Sequence, residues 1–181
     1  MVMQAYDVLR FWFVELTDKQ HFAKDAVLDA AISARFGATL EAAARCELFA
    51  WRATPQGRLA EIIVLDQFSR NVYRDTPLAF AQDVLALGLA QELVASKQDQ
   101  HLTIKQRSFA YMPYMHSESA VIHKEAVHLF AQPGLEDTLD FEQRHQAIIA
   151  RFGRYPHRNA VFNRVSTAEE AAFLNEPGSS F

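Results

Sequence analysis

Apolar side chains recur along this chain at three- and four-residue spacings, and no stretch shows the alternation of a half-buried strand. Val8, Leu9, Trp12 and Phe13 predict a helix over about residues 5–13. Val27, Leu28, Ala31, Ile32 and Phe36 predict a second over 25–36, with Gly37 as its C-terminal cap, and a third begins at Thr39 and reaches about Trp51. Thr54-Pro55 and Thr76-Pro77 each pair an N-cap residue with a proline in the first turn, and open helices expected to run to about Tyr73 and Ala95. A shorter helix over 103–111 is expected to stop before Pro113. Others are expected over 117–130, ended by Pro133-Gly134, and over 137–152, capped by Gly153. Thr167 with Glu170 forms a capping-box pattern for the last. About nine helices in antiparallel pairs, joined by short links, predict an all-α single domain over residues 1–181.

Two polar residues sit where this pattern demands apolar ones. In the helix after Thr54, both faces are apolar: Leu59, Ile62, Ile63 and Tyr73 on one side, Val64, Leu65, Phe68 and Val72 on the other. Asp66 and Arg70 therefore fall on an inward row, four residues apart, where they can pair. A buried carboxylate without a partner is costly, so the pair reads either as a structural ion pair or as part of a site. His145 has the same character, because Phe141, Ile148, Ile149 and Phe152 surround it on the helical wheel. It reads as a hydrogen-bonded core histidine or as an acid/base group in a cleft.

Composition narrows the class. Half of the 181 residues are apolar and 22% are charged, a soluble globular balance, and 14 Phe exclude wholesale disorder. Cys46 is the single cysteine, which rules out an intrachain disulfide or a multi-cysteine zinc site. No basic leader and no long apolar run is evident, so a cytoplasmic location without membrane insertion is expected. The net charge of −4 argues against a general nucleic-acid binder.

The charge is unevenly spread: residues 143–168 carry five arginines and no acid. Within that run, Arg151 to Asn159 mixes arginine with aromatic residues after a helix cap. Arginine suits bidentate binding of carboxylate or phosphate, so Arg154, His157, Arg158 and Asn159 are candidates for an anion pocket. The alternative is a structural loop whose guanidiniums pair with acids elsewhere.

Phosphate-loop, dinucleotide-binding, nucleophile-elbow and HExxH patterns are all absent. Glu125-x-x-His128 and Glu142-x-x-His145 mimic a di-iron pattern, but Glu125 and His128 lie off the apolar face of their helix. No metal and no cofactor is expected.

Asp66-Gln67-Phe68-Ser69-Arg70-Asn71, Tyr114-Met115-His116-Ser117-Glu118, Arg151 to Asn159, and Ser166-Thr167-x-Glu169-Glu170-x-x-Phe173-Leu174 occur in that order after Phe11-Trp12-Phe13. Together they closely resemble the bacterial domain-of-unknown-function 924 family over essentially the whole chain. The resemblance implies an all-helical, tetratricopeptide-like array and no established activity, substrate or cofactor. Two positions depart from the family pattern: Ser69 stands where proline is common, and Phe162-Asn163-Arg164 replaces Leu-Gly-Arg.

These readings converge on Asp66, Arg70, Asn71, His116, Glu118, His145, Arg154, His157, Arg158 and Asn159 as candidates for one concave, ligand-facing side. Three functions fit. One is a binding module for a partner segment or an anionic small molecule. Another is an enzyme on a small anionic substrate, with His145 or His116 as acid/base and Arg158 holding the anion. The third is a purely structural network. Oligomeric state is left open.

Overall fold

The computed structural model describes residues 1–179. Among these the chain is all-α, with nine continuous helices and no strand. The first runs through α1 (Ala5–Arg10) into a π-helical turn at Phe11–Glu15. Then come α2 (Asp18–Phe22) and α3 (Ala26–Ala44). The central helix joins α4 (Pro55–Ile63), a π-helical turn at Val64–Phe68, and α5 (Ser69–Val72). It is followed by α6 (Asp83–Ala95), α7 (Ile104–Met115), α8 (Ala120–Phe130), α9 (Glu136–Phe152) and α10 (Ala168–Phe173).

Every residue from Leu59 to Ser69 is buried, so the helix that the sequence marks as central is central. α4 packs on α1, α6 and α7, while its π-helical turn and α5 pack on α3. Phe68 meets Phe11, Trp12 and Phe36 at ring-centroid distances of 6.0, 5.7 and 4.8 Å, which brings the two π-helical turns together. Such aromatic contacts add to the apolar area buried. The start of α4 follows the sequence signal: Thr54 Oγ1 accepts from the Gly57 amide at 3.0 Å. Glycine is required there, because a Cβ at position 57 would lie 2.0 Å from the Trp51 carbonyl oxygen.

Several boundaries differ from expectation. α3 runs through Gly37 to Ala44, and Thr39 is buried within it, where its hydroxyl accepts from the Met3 amide at 2.9 Å. α7 continues through Pro113 to Met115. Residues 108–115 are all buried, and their packing outweighs the hydrogen bond that proline removes. Thr76-Pro77 opens only a 3-10 turn, Pro77–Phe80, before α6 begins. The stretch 77–95 has 19 residues, and its most apolar 18-residue window has a mean hydropathy of 1.4, enough in length and composition to cross a membrane. Here it is broken ahead of Asp83, and Ala86, Leu89, Ala90 and Leu93 face the core. Phe141, expected beside His145, is 53% exposed. Asn163 adopts φ 53°, a left-handed conformation in which asparagine is tolerated, so it fills a position that suits glycine.

A fully buried pair ties α8 to α9. His123 Nδ1 lies 2.6 Å from Glu142 Oε1, and His123 Nε2 lies 2.8 Å from the Ser117 carbonyl oxygen. Both ring nitrogens face oxygens, so the pair holds one proton between imidazole and carboxyl. Burial pushes the Glu142 carboxyl up, against the lowering effect of His123. We expect Glu142→Ala to destabilise by about 3–5 kcal/mol, because it strands a buried histidine. Glu142→Gln, which keeps a hydrogen-bonding partner, should cost less. Urea-unfolding midpoints of the two variants check this, and equal losses would refute the shared-proton account.

Candidate functional site

Four chain segments deliver one polar cluster. The π-helical turn in the central helix supplies Asp66 and Gln67, and the turn after it Arg70. The first residue of α6 is Asp83, and the residue that closes α7 is His116. The turn Pro156–Arg158, preceded by buried Tyr155, supplies Arg158.

Asp66 is at the centre and has no solvent exposure. Its Oδ1 lies 2.7 Å from His116 Nδ1 and 3.2 Å from Arg70 Nη1, and its Oδ2 accepts from Gln67 Nε2 at 2.5 Å. Arg70 Nη1 also donates to the Asp66 carbonyl oxygen at 2.7 Å. From the other side, Arg70 grips Asp83 with two bonds of 3.0 Å. Burial alone would push the Asp66 carboxyl up; the Arg70 charge and His116 overcome this and hold it well below the usual carboxylate range.

His116 is set up differently. Burial and the Arg70 charge push its imidazole down, against the pull of Asp66, so the ring is neutral at neutral pH. An ionised carboxylate only accepts, which assigns the ring proton to Nδ1. Nε2 therefore carries the lone pair and belongs to a side chain that is 17% exposed; the ring's hydrogen bond to a described residue is the one through Nδ1.

Arg158 is the only buried arginine among the described residues. Its guanidinium lies 4.6 Å from the ring centroids of both Phe80 and Tyr155, and its nearest acid oxygen among the described residues is Asp83 Oδ2 at 3.6 Å. That distance is too long for a hydrogen bond. Nε is buried without a partner among the described residues. Burial and the neighbouring Arg70 charge push the guanidinium down.

The other predicted residues divide into those around Tyr155 and those elsewhere. Glu118 accepts from the Tyr155 amide at 2.9 Å and binds Arg164 through both oxygens, at 2.7 and 2.9 Å. His145 and His157 flank the Tyr155 ring at centroid distances of 5.7 and 5.5 Å. Burial lowers His145 to about 3 and His157 to about 4, which keeps both rings neutral at neutral pH. Three residues are placed in separate pairs. Asn71 donates to Asp29 at 2.7 Å, Arg154 binds Glu170 at 2.6 and 2.8 Å, and Asn159 donates to Ser166 at 3.1 Å. Sequence reasoning missed Gln67, Phe80, Asp83 and Tyr155. Gln67 and Tyr155 lie inside the motifs already singled out; Asp83, the first residue of α6, gave no signal beyond its helix-start position.

Among the described residues no three His, Cys, Asp or Glu side chains converge as a metal-ligand set. Two open depressions, one on α6 around Val84 and Gly88 and one around Tyr73 and Leu78, are not lined by Asp66, His116 or Arg158.

A family profile described as "Bacterial protein of unknown function (DUF924)" matches residues 8–178. The chain is similar to a solved structure described as a protein of unknown function, ATU0120, from Agrobacterium tumefaciens. The two share 36% identity over 94% of this chain and 96% of that one, with a TM-score of 0.90. No curated protein matches the chain.

Replacing Asp66 with Ala should destabilise by about 3–5 kcal/mol, since it removes the buried acceptor of three side chains. Depressed carboxyls also set the acid limit. Glu170, held at about 2 mainly by the Arg154 hydrogen bonds, and Asp66 are both lower in the folded chain than in the unfolded one. Their stabilisation is fully present above the ordinary carboxyl values of 4.5 and 3.8 and is lost as pH falls through the folded ones. Glu170→Gln should flatten this acid loss in melting curves taken from pH 5 to pH 2. An unchanged slope would show that Glu170 does not contribute.

Proposed function

The chain belongs to the DUF924 family of bacterial proteins of unknown function, and we propose that it binds a small anionic ligand at Arg158. One observation carries this reading. A buried guanidinium, its plane fixed against Phe80 and Tyr155, has donors that no described residue uses. Arginine presents a planar fork that matches carboxylate or phosphate, and desolvated donors of this kind are costly to leave unpaired. The neighbouring acids are already spent: Asp66 serves His116, Gln67 and Arg70, and Asp83 serves Arg70.

The compactness of the cluster favours a small ligand over a peptide segment. Its polar groups come from four chain ends that meet around one carboxylate, and the open depressions lie away from it. Three of the five arginines that made residues 143–168 appear basic as a block are neutralised by bonds of 2.5 to 2.8 Å: Arg144 to Asp140, Arg151 to Glu169 and Arg154 to Glu170. Arg164 is held by Glu118.

Acetate, phosphate and sulfate, tested against chloride at matched ionic strength, should include at least one anion that raises the melting temperature through Arg158. Sulfate stabilises most proteins by exclusion from their surface, so the readout is the difference between wild type and Arg158→Ala. The difference should vanish in Arg158→Ala and return in part in Arg158→Lys, which keeps the charge but lacks the planar fork. If all three anions shift wild type and Arg158→Ala equally, the arginine is structural and the reading fails.

A further inference from the structure

We propose that His116 is a catalytic base and that the site hydrolyses esters of small molecules carrying a carboxylate. The proposal rests on the anion site above, since Arg158 supplies the hold on the carboxylate.

The geometry of His116 is that of an oriented base. Asp66 fixes the ring through Nδ1, so the Nε2 lone pair points away from the carboxylate and belongs to a partly exposed side chain. The same carboxylate, ionised and buried, compensates the charge when Nε2 takes up a proton. No described serine, threonine or cysteine side chain is hydrogen-bonded to His116, so the nucleophile available to this base is water. The charged groups around the ring are Asp66, Arg70 and Asp83, with His145 and His157 farther out as neutral rings.

The charge count selects the substrate class. Among the described residues, Asp66 and Asp83 balance Arg70 and Arg158, so a ligand adds its full charge to a neutral set of side chains. A carboxylate adds one negative charge and a phosphate dianion two. The monoanion is therefore the better fit, and its planar head matches the guanidinium.

In the reaction, a water oxygen bonds to the ester carbonyl carbon as Nε2 takes the water proton. The tetrahedral adduct then collapses, the carbon–oxygen ester bond breaks, and the imidazolium returns its proton to the leaving oxygen. An acid and an alcohol leave, and the ring is neutral again.

The test compares 4-nitrophenyl hydrogen succinate, which carries a free carboxylate, with neutral 4-nitrophenyl acetate, following release of nitrophenol. Wild type should prefer the succinate ester once each uncatalysed rate is subtracted. His116→Asn retains an amide donor for Asp66 but has no basic nitrogen; it should lose about 100-fold in rate on the succinate ester. His101 and His128, both exposed, remain in that variant and supply the surface-histidine background. Arg158→Ala should lose the preference for the succinate ester while still hydrolysing the acetate. Melting temperatures of all variants confirm folding. If wild type is no faster than His116→Asn on either ester, the base is overturned, even where anions still stabilise through Arg158. If His116→Asn is inactive but wild type shows no preference between the esters, the base stands and the anion hold at Arg158 is what fails.

Discussion

The Asp66 carboxylate is fully buried in the middle of the helix on which the rest of the chain packs, and it is ionised. A charge in that position costs several kcal/mol unless donors surround it. Satisfying it fixes the neighbouring chain. Gln67 turns back onto it from the same helix, His116 brings the end of α7 to it, and Arg70 closes over it from the next turn. Arg70 has further N–H groups to place, and these capture Asp83 and so position the start of α6. Asp83 in turn lies 3.6 Å from Arg158. One buried charge thus sets where three otherwise separate chain ends meet.

Much of this was legible because it follows from periodicity. A helix apolar on both faces has to be central, and a polar pair spaced by four within it has to meet. Asp66 and Arg70 do so at 3.2 Å. Local capping signals held where their chemistry is self-contained, as at Thr54, Thr167 and Gly153. They failed where packing overrides propensity: Gly37 and Pro113 both lie inside helices whose flanks are buried. The two π-helical turns left no trace in the apolar pattern. An extra residue in one turn shifts the wheel by only part of a turn, and residues on both sides of Val64–Phe68 are apolar in any case.

The site was harder to read than the fold, because sequence proximity misrepresents charge pairing. The arginines of residues 143–168 look like one basic patch along the chain. In space each faces a different acid: Arg151 faces Glu169, Arg154 faces Glu170 and Arg164 faces Glu118, so most of the block is neutral where it stands. The polar residues that do gather come from four distant segments: the hydrogen bond from His116 to Asp66 spans 50 positions, and the ion pair of Arg158 with Asp83 joins segments still farther apart. His145 was read correctly as buried, but the residue beside it is Tyr155, which periodicity within one helix cannot reveal.

Arg158 differs from the other arginines of this fold in how its guanidinium fork is met. Arg52 binds Glu61 through two bonds of 2.7 Å, Arg74 binds Asp29 through bonds of 2.5 and 2.7 Å, and Arg70 binds Asp83 through two of 3.0 Å. In each the guanidinium fork is filled by a carboxylate, as expected when a partly buried cation serves only to hold helices together. Arg158 is more buried than any of these, yet the described carboxylate nearest to it stands off at 3.6 Å and is already committed to Arg70. Two aromatic rings set its plane without using its donors. A fold that needed Arg158 only as a brace would gain by moving Asp83 closer or by replacing the guanidinium with an apolar side chain. A desolvated cation whose donors no described residue fills, in the same network as a histidine whose lone pair no described residue meets, is the feature on which the proposed anion site rests.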